Sequence, residues 1–251
     1  MKVITFFIVL ILLIACNNTQ EGSSKLDLRI VETKVPLVLL PDGLPLNDYM
    51  AKGNEFLVDG EFENAVNAFT QVLRLDVNNI EAYNNRGVAY KSLGEFQKAI
   101  QALNKAITID AKNPDAYYNL GNIMKRFKEF EKAKNYYLQN IEIQPNNEKT
   151  YNNLGNVLIQ LKNFPEAINS YKKAIQIMPN HKNAHFNLGN LYKQIGDFSK
   201  AQDSYEMAIE SDPDNLEIVS NLSEFNAKIL DSDLKNKVTK ILKNNETTKK
   251  N

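Results

Sequence analysis

Residues 114–147 read PDAYYNLGNIMKRFKEFEKAKNYYLQNIEIQPNN, and residues 148–181 read EKTYNNLGNVLIQLKNFPEAINSYKKAIQIMPNH. Laid one above the other, the two stretches pair Tyr117 with Tyr151, Leu120 with Leu154, Gly121 with Gly155, Ala133 with Ala167, Tyr137 with Tyr171 and Pro145 with Pro179. The spacing of 34 residues continues outward. Gly53, Gly87 and Gly189 extend one ladder, Ala65, Ala99 and Ala201 a second, and Phe62, Phe96, Phe130, Phe164 and Phe198 form a third. Three ladders in register define five units, 46–79, 80–113, 114–147, 148–181 and 182–215, whose positions are numbered 1 to 34 below. Such a period belongs to architectures in which one supersecondary unit stacks on the next.

Within each unit, positions 4, 7, 8 and 11 share one face of a first helix, and positions 17, 20, 24, 27 and 28 share one face of a second. Gly at 8 and Ala at 20 are small, so two helix backbones can approach closely while larger residues fill the space around them. Neither helix can hold such a face in water alone, so each unit must be covered by its neighbours. Gly60, Gly94 and Gly196 stand where a left-handed residue ends the first helix. Lys128 and Lys162 stand at the same place, where a side chain costs about 1 kcal/mol. At position 27, Asn140 replaces the Val72, Ala106, Ala174 and Ala208 of the other units; such an amide is more often than not satisfied locally, but it marks the junction between units 3 and 4 as the expected soft point.

These residues closely resemble the tetratricopeptide repeat, a helix-turn-helix unit with the pattern W-x2-L-G-x2-Y, then A-x3-F, then P. The resemblance runs from about residue 46 to 215, with Arg86 and Lys52 where leucine is usual and His185 at the opening aromatic position. It implies an all-α, right-handed superhelical solenoid of five units plus a capping helix, whose first helices line a concave groove. It also implies that positions 2, 5, 6, 9, 12 and 13 face that groove and that the ligand is a protein or peptide. The family's dicarboxylate clamp combines Asn at 9 and 6 with Lys at 5 and 2 and a basic residue at 6. Here position 5 is never basic and position 6 is Asn or Ala, so that activity does not carry over.

What fills those positions is particular to this chain. Position 6 carries Asn85, Asn119, Asn153 and Asn187, and position 9 carries Asn54, Asn122, Asn156 and Asn190. Asparagine is 34 of 251 residues, so chance would place about one in ten positions where eight occur. An amide offers two donors and a carbonyl acceptor, which suits it to the N–H and C=O groups of an extended peptide. First helices about 10 Å apart would set one rung for every three peptide residues. Tyr118 and Phe186 at position 5, with Lys91, Lys125, Arg126 and Lys193 at positions 12 and 13, then favour an aromatic or acidic feature on the ligand.

Thirty basic side chains balance thirty acidic ones, which removes the electrostatic footprint of general nucleic-acid binding. One cysteine cannot form an internal disulfide. His181 and His185 have zinc-like spacing, but the first lies in a linker and the second fills the packing position of Tyr117 and Tyr151, so no metal is assigned. With no phosphate loop and no Ser/His/Asp grouping, neither a cofactor nor an enzymatic activity is expected.

Residues 3–14 form an apolar run behind Met1 and Lys2, too short for the roughly 20 residues of a membrane span and suited to a secretory signal peptide over residues 1–15. Leu13-Ile14-Ala15-Cys16 resembles the lipobox of bacterial lipoproteins. The resemblance implies that Cys16 becomes a lipidated N-terminus carrying diacylglycerol and an acyl chain, followed by a tether to residue 45. The expected location is the bacterial cell envelope, on the outer membrane where there are two, facing periplasm or surface. The apolar run at residues 35–40 should pack on the first unit or pair as a strand rather than stay solvated. After the repeats, residues 216–230 read as a capping helix and 231–251 as a short helix with a basic tail. The function expected is a lipid-anchored adaptor scaffolding an envelope complex; a wall-glycan binder and a purely structural lipoprotein remain as alternatives.

Overall fold

The computed structural model describes Val38, residues 40–212, and the two helical residues Asn236 and Thr239. The signal peptide, Cys16 and most of the tether lie outside the described residues, as does the expected capping helix at 216–230. The described part is ten α-helices in five hairpins. Unit 1 holds α1 (Leu46–Val58) and α2 (Phe62–Leu75), unit 2 α3 (Ile80–Ser92) and α4 (Phe96–Ile109), and unit 3 α5 (Pro114–Arg126) and α6 (Phe130–Ile143). Unit 4 holds α7 (Glu148–Gln160) and α8 (Phe164–Ile177), and unit 5 α9 (Lys182–Gln194) and α10 (Phe198–Ser211). Each first helix is 13 residues and each second helix 14. Among the described residues no helix is long and apolar enough to cross a membrane.

The glycine ladder has a direct steric cause. A Cβ on Gly121 would lie 2.5 Å from the ring of Tyr137, and one on Gly53 2.5 Å from the ring of Phe69. Position 8 must therefore be bare so that the large residue at 24 can cross it. Tyr137, Tyr171 and Phe69 are fully buried there, each contributing about 1.5–3 kcal/mol by leaving water. Ala65, Ala99, Ala133, Ala167 and Ala201 are likewise fully buried. Two clusters of core residues span the stack, one in units 1 to 3 and one in units 3 to 5, and Met124 packs against both.

The turns follow the sequence. Gly60, Gly94 and Gly196 have φ between 76° and 83°, and Lys128 and Lys162 take φ of 61° and 60°. Asn79, Asn113 and Asn147 cap the first helices of the next unit through their side-chain oxygens, and His181 caps α9 by accepting the Ala184 N–H at its Nδ1, 3.2 Å away.

Asn140 is satisfied locally. It is fully buried, donates to the Pro114 carbonyl at 2.8 Å and accepts from the Thr150 hydroxyl at 2.6 Å. The amide has a partner on each side and ties α6 to α5 and α7 across the junction between units 3 and 4. Arg86, in the usual place of leucine, lays its guanidinium 5.3 Å over the Tyr83 ring and places Nη1 3.4 Å from the Thr70 hydroxyl.

Of the apolar run before the repeats, the described residues Val38 and Leu40 pack on unit 1. Asn64 Oδ1 accepts the Val38 N–H at 2.8 Å, and Asn67 Nδ2 donates to the Val38 carbonyl at 3.1 Å. Tyr49 donates to the Pro41 carbonyl at 2.6 Å, while Leu40 and Leu44 rest against the first core cluster.

Successive first helices touch one another, α1 with α3, α3 with α5, α5 with α7 and α7 with α9; successive second helices do not meet to that degree. The solenoid therefore curves with its first helices inside.

Candidate peptide-binding groove

On the inner helices, the second helix of each unit sets the direction of the position 9 amide. Tyr137 donates to Asn122 Oδ1 at 2.8 Å, Tyr171 to Asn156 Oδ1 at 2.7 Å and Tyr205 to Asn190 Oδ1 at 2.8 Å. These rings are at most 1% exposed, so each hydroxyl meets its amide from the core side. Burial pushes all three phenols well above their ordinary range, with a further push on Tyr137 from Tyr118, and keeps them as donors. With the oxygen drawn toward the core, the amino groups of Asn122, Asn156 and Asn190 turn away from it and donate to no described residue. In unit 1, where position 24 is Phe69, Asn54 Oδ1 instead accepts from Asn85 Nδ2 at 2.9 Å. In unit 2, where position 24 is Leu103, position 9 is Val88.

Position 6 reaches backward to the preceding unit. Asn153 Nδ2 donates to Asn122 Oδ1 at 3.1 Å and to the Tyr118 hydroxyl at 3.2 Å, and Asn187 Nδ2 donates to Asn152 Oδ1 at 3.1 Å. Asn119 Nδ2 donates to the Asp115 carbonyl at 3.0 Å. Two of these amides also receive a lysine: Lys91 Nζ donates to Asn119 Oδ1 at 3.1 Å and Lys125 Nζ to Asn153 Oδ1 at 2.9 Å. Burial lowers the pKa of both lysines.

The eight asparagines are thus divided by role. None is sealed: Asn54 and Asn190 are exposed, Asn85, Asn122, Asn153, Asn156 and Asn187 half-buried, and only Asn119 buried, at 9% exposure. Sequence reasoning gave every amide both a donor and an acceptor for a ligand. Instead position 6 uses its amino group between or within units, and position 9 uses its oxygen, which leaves the position 9 amino groups without a partner among the described residues. Tyr118 lies half-buried with its ring 6.3 Å from that of Tyr137, and Phe186 5.9 Å from Tyr205. Lys193 is exposed at the far end. Lys91, Asn122, Lys125 and Arg126 come together around one cavity of about 550 Å³, with Phe96 beside them. Sequence reasoning missed the three orienting tyrosines, Asn152 and Phe96. The signal available for the tyrosines was the pairing of Tyr at 24 with Asn at 9 in units 3 to 5. Among the described residues no group of His, Cys, Asp and Glu could hold a metal.

Models of the tetratricopeptide repeat match residues 53–94, 89–126, 114–147 and 146–214, which together run through all five units. The chain belongs to the tetratricopeptide repeat family. No curated protein matches the sequence. Among solved structures, a MamA protein is 27% identical with a TM-score of 0.58, over 68% of this chain and 94% of that one. PilF of Pseudomonas aeruginosa is 20% identical with a TM-score of 0.64, over 69% and 79%. YrrB, described as a tetratricopeptide repeat protein with an unusual peptide-binding site, is 22% identical with a TM-score of 0.57, over 71% and 92%. Proteins built of these repeats are generally non-catalytic adaptors, and membership of the family points to a protein–protein interaction scaffold.

Proposed function

We propose that the chain is a lipid-anchored adaptor of a bacterial cell envelope that holds an extended segment of a partner protein in its concave groove. The observation that carries this is the row of position 9 amides, each with its oxygen fixed by a buried tyrosine or a neighbouring amide and its amino group unused. Oriented donors, one in each of units 1, 3, 4 and 5, can bind the carbonyls of an extended backbone without reading its side chains. Such a groove tolerates varied sequences, as a scaffold requires.

Asn122→Asp with Asn156→Asp tests the groove, since a carboxylate still accepts from the tyrosines but has no hydrogen to give. The full chain and this variant, compared in pull-downs from envelope extract, should differ by loss of the partner in the variant, with helical circular dichroism unchanged. Recovery of the same proteins by both would refute the reading. The anchor is tested separately by Cys16→Ser, which should abolish incorporation of a labelled fatty acid and release the chain from the membrane fraction.

A further inference from the structure

Lys91, Lys125 and Arg126 converge on the cavity of about 550 Å³ between units 2 and 3, and no carboxylate lines it. Elsewhere exposed lysines stand beside carboxylates three residues away, as Lys98 does with Glu95 and Lys132 with Glu129. Lys91 and Lys125 are held instead by neutral amide oxygens, each engaging one of three ammonium hydrogens and leaving two. Arg126 is fixed by stacking 5.1 Å over the Phe96 ring, which stands at 77° to the ring of Phe127. Asn122 adds its unused amino group. Basic residues in a last turn can also serve the helix dipole, but α1 and α7 end with none, so that need does not account for three cations at one spot.

We infer that this cavity is a carboxylate-binding site which reads an acidic side chain or the C-terminal carboxylate of the extended peptide. The inference rests on the groove reading above and adds the ligand's charge to it. Two part-buried ammonium groups without a counter-ion pay in desolvation, and burial accordingly depresses both lysines. A ligand carboxylate removes that penalty and forms charge-assisted bonds to them and to the guanidinium fork. The Phe96 ring supplies an apolar wall for the carbon chain that carries the acid. The cations stand at positions 12 and 13, so the site is built from different residues than the clamp absent at positions 2, 5 and 6.

The test uses the full-length chain in detergent and fluorescent dodecapeptide pools degenerate over uncharged residues. The four pools differ in a central Glu or Gln and in a free or amidated C-terminus. At least one carboxylate-bearing pool should bind about tenfold more tightly than the Gln-amide pool by fluorescence anisotropy. A preference carried by Glu in amidated peptides assigns a side chain, and one carried by the free terminus assigns the C-terminal carboxylate. Lys125→Gln with Arg126→Gln, checked for native helicity, should level the pools to within about twofold. Equal binding of all four pools to the wild type, or a preference that survives the variant, overturns the carboxylate site and leaves the groove standing. Binding of no pool overturns the groove reading, and the carboxylate site falls with it.

Discussion

Asn140 and Thr150 offer an internal experiment that the repeats themselves have set up. At the other junctions between described units the same two places hold Val72 with Ala82, Ala106 with Ala116 and Ala174 with Ala184, all apolar. By that comparison Asn140→Ala would restore an ordinary repeat and gain stability. The structure says otherwise. Both side chains are fully buried, the Thr150 hydroxyl is 2.6 Å from Asn140 Oδ1, and Asn140 Nδ2 is 2.8 Å from the Pro114 carbonyl. Removing the amide leaves the threonine hydroxyl buried without a partner, which costs about 1–3 kcal/mol, and loses the bond to Pro114, worth about 1 kcal/mol. The Pro114 carbonyl keeps its place in the helical ladder of α5, so no full penalty falls there. Asn140→Ala should therefore destabilise by about 2–4 kcal/mol, and Thr150→Ala by about 1–3 kcal/mol because an amide oxygen is left buried. The double variant matches the apolar junctions and should lie within about 1 kcal/mol of the wild type, since replacing both partners removes the unsatisfied group. Urea unfolding followed by circular dichroism at 222 nm gives the four free energies, with equal slopes required for the comparison. A single Asn140→Ala variant as stable as the wild type would refute the argument. So would single costs that add in the double variant to within about 0.5 kcal/mol.

Tyr171→Phe removes the hydroxyl that orients Asn156 at 2.7 Å; it should cost about 1 kcal/mol and weaken peptide binding more than an equally destabilising change in α8 away from the groove, as anisotropy titration would show. Lys128→Gly with Lys162→Gly relieves two left-handed residues at φ of 61° and 60°. Strain of about 1–2 kcal/mol per site, less the glycine's extra freedom when unfolded, leaves a gain of about 0.5–1 kcal/mol each and a rise of roughly 2–6 °C in Tm by calorimetry. His181 caps α9 through a neutral Nδ1, and burial holds its pKa below 6.5. The unfolded chain therefore binds the proton first, so this part of the stability is complete above about pH 6.5 and is lost as pH falls below it. His181→Asn, which copies the caps of the other units, should remove that portion of the pH dependence of Tm between pH 7 and 5; identical profiles would count against the cap.

The architecture was legible because its determinants recur at fixed offsets and act through bulk. A ring at position 24 crossing a bare position 8 leaves a trace in every unit, whichever ring it is: Phe69, Tyr137, Tyr171 and Tyr205 all press on a glycine, and Leu103 does the same at Gly87. Position 15 was legible for a similar reason, since the left-handed turn exists whether glycine or lysine occupies it. The groove was legible as a set of residues and not as a set of atoms. Which end of the Asn156 amide is available depends on a hydroxyl 15 residues away, and for Asn153 on three groups supplied by unit 3. The partner of Asn140 was not legible because Thr150 sits at a position that holds alanine in the units on either side, and one polar residue was weighed without the other.

The contrast between units 2 and 4 carries the functional argument further. In unit 4 a tyrosine at 24 comes with an asparagine at 9; in unit 2 a leucine at 24 comes with a valine at 9. Were the asparagine kept only to satisfy the tyrosine, any acceptor would serve and the amino group would be incidental. Were it kept only for a ligand, nothing would link it to the residue at 24, yet where position 24 is Leu103 position 9 is Val88, and in unit 1, where position 24 is Phe69, the Asn54 oxygen is held by Asn85 instead. The pair makes sense as a unit: the phenol fixes the oxygen, and the fixed oxygen determines where the two N–H bonds lie. An unfixed amide would have to lose rotational freedom on binding and would present its two ends in turn. Unit 2 lacks that device but, like units 3 and 5, carries a lysine at position 12, and Lys91 takes its orientation from Asn119 of the next unit. On the groove reading proposed above, the hydroxyls of Tyr137, Tyr171 and Tyr205 would thus set the rungs of units 3 to 5 from inside the core, without touching the ligand themselves.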